Sequence, residues 1–358
     1  MDWEKIKAGI SPLDEAVMKE ATERQDQLFK PAGSLGLLED ISIQMAGITG
    51  KLKCSTDKKI HFVFGADNGV YEEGIAAAPQ SLTHLLMYNY GCDDVTCGIN
   101  AICEENGVDL VLVDMGIIGE FDLPAIQNHK LMNGTDNFAK GPAMSRETAL
   151  KAMEIGFSYA RYAKENSYDI IGNGEVGMGN TTTAAACIMA ALGVTDPEKA
   201  VGRGAGLTDE AYAHKKEVIQ KALALHKPDP DDIVDILSKV GGLDIAAMVG
   251  LYLGAAYYRL PIVIDGVISI AAALLASRFA PLAKAYMLPS HISKEPAYVL
   301  AAEAMGLKPM LSLGMRLGEG TGCPIAMRVI DTALAVMRNM STFAEANSDT
   351  EYRKNIKA

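Results

Sequence analysis

The 358-residue chain has no CxxC pair and no histidine cluster, and its six cysteines (54, 92, 97, 103, 187 and 323) are scattered. Neither a zinc site nor a disulfide framework is indicated, so reduced, mostly buried thiols are expected. Cys323, in a glycine-rich segment, is the one candidate for a reactive thiol. Positive charge is also short: 33 Lys and Arg stand against 45 Asp and Glu, a net charge of −12. That balance repels polyanions and leaves no basic stripe, which argues against a nucleic-acid partner. The longest uncharged apolar run, Ile245 to Tyr258, is shorter than the ~20 residues that a membrane helix needs, and serves core or interface instead. Met1-Asp2-Trp3-Glu4-Lys5 opens with charge rather than an apolar signal stretch, so a cytoplasmic protein is expected. No repeat or low-complexity tract is present.

What the chain does have is an apolar content of 49% with abundant glycine and alanine, enough for a large core and against disorder. Short β-rich runs alternate with longer helix-period stretches, the layout of an α/β fold: a doubly wound, mostly parallel sheet with helices on both faces. Ile60 to Phe64, Val108 to Val113, Asp169 to Ile171 and Ile262 to Ile264 are the strand candidates, and Asp67, Asp114 and Asp265 lie just beyond three of them. Such acids are either ligand-facing groups at the carboxyl edge or strand-end caps. Leu150, Met153, Phe157 and Ala160 recur at helical steps behind Ser145, a candidate N-cap. A second helix is expected from about Thr208 to the Pro228 break, and a late one carries Ile330, Leu334 and Met337 and frays after Ala346. Strands are confined to the middle of the chain. The expectation is therefore a large Rossmann-like α/β domain over 58–324 and a small helical domain built from 1–57 and 325–358.

Two glycine-rich segments carry a carboxylate: Gly172-Asn173-Gly174-Glu175-Val176-Gly177-Met178-Gly179-Asn180-Thr181-Thr182-Thr183 and Gly318-Glu319-Gly320-Thr321-Gly322. Glycine admits a ligand close to the backbone, and consecutive N–H groups ahead of a helix cradle an anion, with the threonines supplying a capping start. The alternative is a pair of tight turns. Neither segment is a Walker loop or a Gly-x-Gly-x-x-Gly fingerprint after the first strand, which disfavours ATP and NAD. Glu175 and Glu319 read either as paired catalytic carboxylates of glycosyl chemistry or as cap and turn acids.

Seven segments in order carry a resemblance: Lys30-Pro31-Ala32-Gly33-Ser34-Leu35-Gly36, Gly65-Ala66-Asp67-Asn68-Gly69-Val70, Gly134-Thr135-Asp136-Asn137, Gly141-Pro142-Ala143-Met144-Ser145, Gly174 to Thr182, Val201-Gly202-Arg203-Gly204-Ala205-Gly206 and Leu317 to Gly322. Together they resemble the nicotinate-nucleotide:dimethylbenzimidazole phosphoribosyltransferase family of cobamide lower-ligand activation, over roughly residues 25 to 340. The resemblance implies transfer of the 5-phosphoribosyl group of nicotinate mononucleotide to an aromatic base, giving an α-ribosyl 5′-phosphate and nicotinate. It implies Glu319 as the base, Glu175 assisting near the ribose, and Gly177, Met178, Gly179, Asn180, Thr181, Gly202, Gly204 and Lys215 as phosphate and ribose contacts. Lys215 is otherwise a solvated helix lysine. No cofactor and no metal are implied, because nicotinate mononucleotide is a substrate and its pyridinium leaves without protonation. The implied assembly is a homodimer, or a heterodimer with a homologous chain.

The acceptor pocket is where the chain departs from the family. Ala76 and His84 stand where a serine and a glutamine are expected, Asn68 where a histidine is, and Leu317 completes the pocket. The expected acceptor therefore widens from 5,6-dimethylbenzimidazole to another benzimidazole, a purine, or a phenol such as p-cresol joined through oxygen. His84 is otherwise a buried structural histidine. Two competing functions stay open: a non-catalytic nucleotide-binding partner subunit, and a nicotinate mononucleotide glycohydrolase that uses water.

Overall fold

The computed structural model describes residues 1–348. Three helices, α1 (Trp3–Gly9), α2 (Glu15–Gln27) and α3 (Leu37–Thr49), precede the first strand, β1 (Lys59–Ala66). Helices α4 (Ser81–Gly91) and α5 (Gly98–Asn106) lead to β2 (Val108–Gly116) and the short β3 (Ile126–Asn128). Then come α6 (Arg146–Glu165), β4 (Ile170–Val176), α7 (Asn180–Leu192), α8 (Asp209–His226), α9 (Ile233–Val240) and α10 (Leu243–Tyr257). The chain closes with β5 (Ile262–Ile264), α11 (Val267–Phe279), β6 (Met287–Pro289), α12 (Pro296–Met305) and α13 (Gly322–Asn339).

The strands form one sheet in the order β3-β2-β1-β4-β5-β6, with every neighbouring pair parallel. This is the expected doubly wound α/β fold. Strand order reverses between β1 and β4, which opens a crevice beyond their carboxyl ends. The four expected strands are present, and β1, β2 and β4 run further than their apolar runs suggested. Strands β3 (Ile126-Gln127-Asn128) and β6 (Met287-Leu288-Pro289) were missed because, unlike the equally short Ile262-Val263-Ile264 of β5, they carry no run of β-branched residues.

Helices cover both faces, as the pleat of β4 makes plain. On one face Asn173 donates to the Tyr252 hydroxyl of α10, at 3.0 Å. On the other, Gly172 has no side chain, and a Cβ there would meet Cys323 and Met327 of α13. The apolar stretch 245–258 is core rather than interface, since α10 is buried on all sides from Leu243 to Ala256. It crosses α6 closely enough that a Cβ on Gly156 would lie 1.7 Å from the Ala247 carbonyl oxygen.

Ser145 caps α6 as expected, accepting from the Thr148 N–H, and Thr208 caps α8 in the same way. Helix α8 stops at His226, where Lys227 turns left-handed just before Pro228. The late helix ends at Asn339 rather than fraying after Ala346, and the boundary placed at 324/325 falls inside the first turn of α13. Ala21, Ala46 and Met337 join α2, α3 and α13 in a small apolar cluster of their own. The part of the expected small domain beyond residue 348 lies outside the described residues. Among the described residues, no helix is long and apolar enough to cross a membrane.

Candidate active site

The two glycine-rich segments are packed against each other at the carboxyl end of β4. Residues 172–176 are strand rather than loop, so Asn173 and Glu175 share one face while Gly172 and Gly174 leave the other bare. A Cβ on Gly174 would lie 2.2 Å from the Glu319 carbonyl oxygen, so only glycine lets the 318–320 turn settle onto the strand. That turn runs through three successive left-handed residues, Gly318 (φ 85°), Glu319 (φ 63°) and Gly320 (φ 82°). His61 Nε2, on β1, meets the Glu319 carbonyl at 3.3 Å. Burial lowers the His61 pKa to about 4, so the ring is neutral and donates to that carbonyl.

Both carboxylates line one cleft of about 310 Å³. Burial, then the Asp244 charge, pushes Glu175 up to about 8, although the Asn180 amide donates to it. Near neutral pH, Glu175 is therefore held as the protonated acid. Glu319 is also raised by burial, with Asp265 adding to the effect. The Ile99 N–H in the first turn of α5 donates to Glu319 Oε2 at 3.1 Å and favours the ionised form. Two neighbouring carboxyl groups thus have different environments, the pattern that separates acid and base assignments.

The crevice floor continues into the β4–α7 turn. Gly177 passes so close to the end of β1 that a Cβ would lie 2.2 Å from the Ala66 carbonyl oxygen, and Gly179 (φ 88°) is the left-handed cap of α7. The three threonines do not cap that helix. Thr181 Oγ1 accepts from Lys215 Nζ at 2.9 Å, Thr183 donates to Asn68, and the Thr182 hydroxyl is buried without a partner among the described residues. Lys215 is not a solvated helix lysine: it is 0% exposed, and its ammonium also donates to the Gly202 carbonyl at 3.1 Å. Burial lowers its pKa to about 8, opposed by the Glu295 charge. Glu295 accepts from the Gly204 N–H at 2.9 Å, and a Cβ on Gly202 would strike its carboxylate.

Of the expected acceptor residues, Ala76 and Leu317 line the cleft and His84 does not. On α4 the residues facing the cleft are Leu86 and Tyr90, one helical step apart, whereas His84 and Tyr88 line a separate depression with Asp67 and Ile118. His84 stacks on Phe121, with ring centroids 4.2 Å apart, and its Nε2 lies 3.0 Å from the Glu120 carbonyl. Asn68 is a buried partner of Thr183 and is not part of the cleft wall. Cys323 is buried in α13, with Sγ against the Asn173 and Val263 carbonyls, and burial pushes its thiol far up; the reactive-thiol reading is overturned.

Sequence reading missed Tyr90, Ser293, Lys294 and Glu295 as cleft residues. The signal for Tyr90 was its i+4 spacing from Leu86. The other three follow β6, a strand too short to announce its end. Asp265 was noted as a strand-end acid. It is buried in the cleft, accepts from the Gly322 N–H at 2.7 Å and lies 3.8 Å from His291 Nδ1.

The sequence matches the Phosphoribosyltransferase family over residues 10–347. It is 47% identical over 349 residues to the nicotinate-nucleotide–dimethylbenzimidazole phosphoribosyltransferase of Clostridium perfringens, covering 98% of this chain and 96% of that one. Identity to the enzyme of the same name from Clostridium tetani is 45%, covering 97% and 96% of the two chains. The crystal structure of CobT from Thermus thermophilus superposes with a TM-score of 0.89 at 36% identity, covering 94% of this chain and 99% of that one.

Proposed function

The chain belongs to the phosphoribosyltransferase family, and on that premise we propose that it moves the 5-phosphoribosyl group of nicotinate mononucleotide onto an aromatic base in cobamide synthesis. The observation that carries this reading is the convergence of Glu319 and Glu175 in one cleft beside a buried lysine. In this account the nucleotide phosphate lies over the Gly177-Met178-Gly179-Asn180-Thr181 turn, with Gly202, Gly204 and Lys215 beneath it. Glu175, held as the neutral acid, positions the ribose.

The acceptor nitrogen attacks C1′ on the face opposite nicotinate, and its N–H proton passes to the Glu319 carboxylate. The C1′–N bond breaks with its electron pair going to the pyridinium nitrogen, which becomes neutral. The leaving group therefore needs no acid, and a single base serves the reaction. Burial raises Glu319 from its ordinary value, which adds to its basicity for that step.

We assign the acceptor to the side of the cleft formed by Ile75, Ala76, Ala77, Ala78, Leu86 and Leu317, none of which carries a polar side-chain atom. Each ring nitrogen or exocyclic amine left unpaired there costs about 1–3 kcal/mol. We therefore place the acceptor among apolar-edged aromatics, benzimidazoles first and phenols such as p-cresol second, with purines disfavoured. In competition, adenine should trail 5,6-dimethylbenzimidazole at least about tenfold in kcat/KM, one unpaired group's worth. Equal use of adenine would remove this assignment.

Two structural readings go with the proposal: an assembly of two chains, checked by light scattering, and a helical unit of 1–57 with 325–358 beside the 58–324 domain, checked by limited proteolysis. Mass analysis of the product tests the reaction itself. A base-linked ribosyl phosphate is expected, whereas ribose 5-phosphate as the sole product would make the protein a glycohydrolase.

A further inference from the structure

Tyr90 ends α4 with its side chain in the cleft wall, 3% exposed, and its buried hydroxyl has no hydrogen-bond partner among the described residues. An unpartnered hydroxyl in such a place is a net cost to folding, and phenylalanine would fill the same space without it. The group it faces is the Glu319 carboxylate, with Glu175 and Cys97 further around it. Glu319 Oε2 already accepts from the Ile99 N–H, so the carboxylate has one hydrogen-bonded donor, and the Tyr90 hydroxyl faces it without completing a second bond. Hydrogen bonds of this kind commonly tighten only when substrate is seated.

We infer that Tyr90 is a positioning residue for Glu319: its hydroxyl closes onto the carboxylate as the acceptor fills the cleft and holds it toward the reacting nitrogen. The inference rests on the proposed role of Glu319 as base. From the surrounding elements, Glu319 is faced by Asp265 beyond β5, Glu175 on β4, Tyr90 on α4, and Cys97 and the Ile99 N–H at the start of α5. His61 on β1 holds its carbonyl, and Arg316 and His291 also line the cleft. Burial and then Asp265 raise the basicity of Glu319, while the Ile99 N–H and the facing Tyr90 hydroxyl dipole lower it.

The test is Tyr90→Phe, read as the pH profile of kcat/KM for the acceptor. Losing a donor to the carboxylate should move the acidic limb upward by about half a pH unit or more. The basic limb should stay put, and KM for nicotinate mononucleotide should hold within about twofold. The melting temperature should be unchanged or higher, because an unsatisfied hydroxyl is gone. An unmoved acidic limb, a loss confined to the nucleotide KM, or a clear fall in melting temperature overturns the inference. Glu319→Gln separates the two levels. If it keeps full nicotinate release, the base assignment fails and the inference with it. If release is lost while the Tyr90→Phe limb stays fixed, only the role of Tyr90 fails.

Discussion

Glu319 holds a backbone conformation that a side chain bearing a Cβ adopts at a cost of about 1 kcal/mol, and it does so between two glycines that share it. The turn aims the carboxylate at the cleft while its carbonyl packs on the bare face of β4. Gly320→Ala would add both a strained φ and a Cβ within 2.2 Å of His61 Nε2, so loss of nicotinate release with a lowered melting temperature is expected. Glu175 leads to a prediction of the opposite sign. Its folded pKa of about 8 exceeds the ordinary value of 4.5, so between those limits the folded chain holds a proton that the unfolded chain has released. Stability therefore falls as pH rises through that window. In thermal melts, Glu175→Gln should outlast the parent at pH 8 and lose its advantage toward pH 5; a gap that does not vary with pH would contradict the burial argument. For Lys215, a pKa of about 8 means that its charge fades above that pH. The nucleotide KM of the parent should then rise beyond pH 8, while Lys215→Met should show a high KM, about tenfold or more above the parent's, with a shallower rise that the ionisation of Glu175 alone produces.

Elements explain which parts of the site could be read in advance. Helices α6 and α8 were legible because capping residues and apolar spacing agree along their length. Strands β3 and β6 were not, and with β6 went the Ser293–Glu295 edge of the cleft. Helix α4 shows the limit of reading a pocket from chain order: two residues' offset turned His84 about 200° away from Leu86, onto another surface. The α6–α10 crossing has no sequence signature beyond three glycines, Gly156, Gly250 and Gly254, each of which lies against the other helix. A Cβ on Gly156 has no flexible neighbour to displace, since both nearest atoms belong to the Ala247 carbonyl. Gly156→Ala should destabilise the chain by about 1–3 kcal/mol in urea unfolding while leaving nicotinate release per folded molecule unchanged. Unaltered stability would show that the two helices can part without cost.

At the scale of the molecule, the parallel sheet gathers function at one edge. The turns after β4, β5 and β6 reach a single cleft from separate stretches of the chain, and the Glu319 turn closes it from ahead of α13. The ordered glycine segments made Glu175, Glu319 and the Lys215 region legible, because closely packed backbone leaves a glycine signature. Tyr90 was not, since an aromatic on a helix reads as core until the fold shows what it faces. A net charge of −12 offers nothing to an anionic nucleotide at long range, so in the proposed account recognition falls to the local cradle around one buried lysine. The most direct measurement is nicotinate release from nicotinate mononucleotide by parent and Glu319→Gln protein, with and without 5,6-dimethylbenzimidazole. The account predicts acceptor-dependent release in the parent and a loss of about 100-fold or more in the variant. Release at equal rates in both proteins, or without any acceptor, would contradict it.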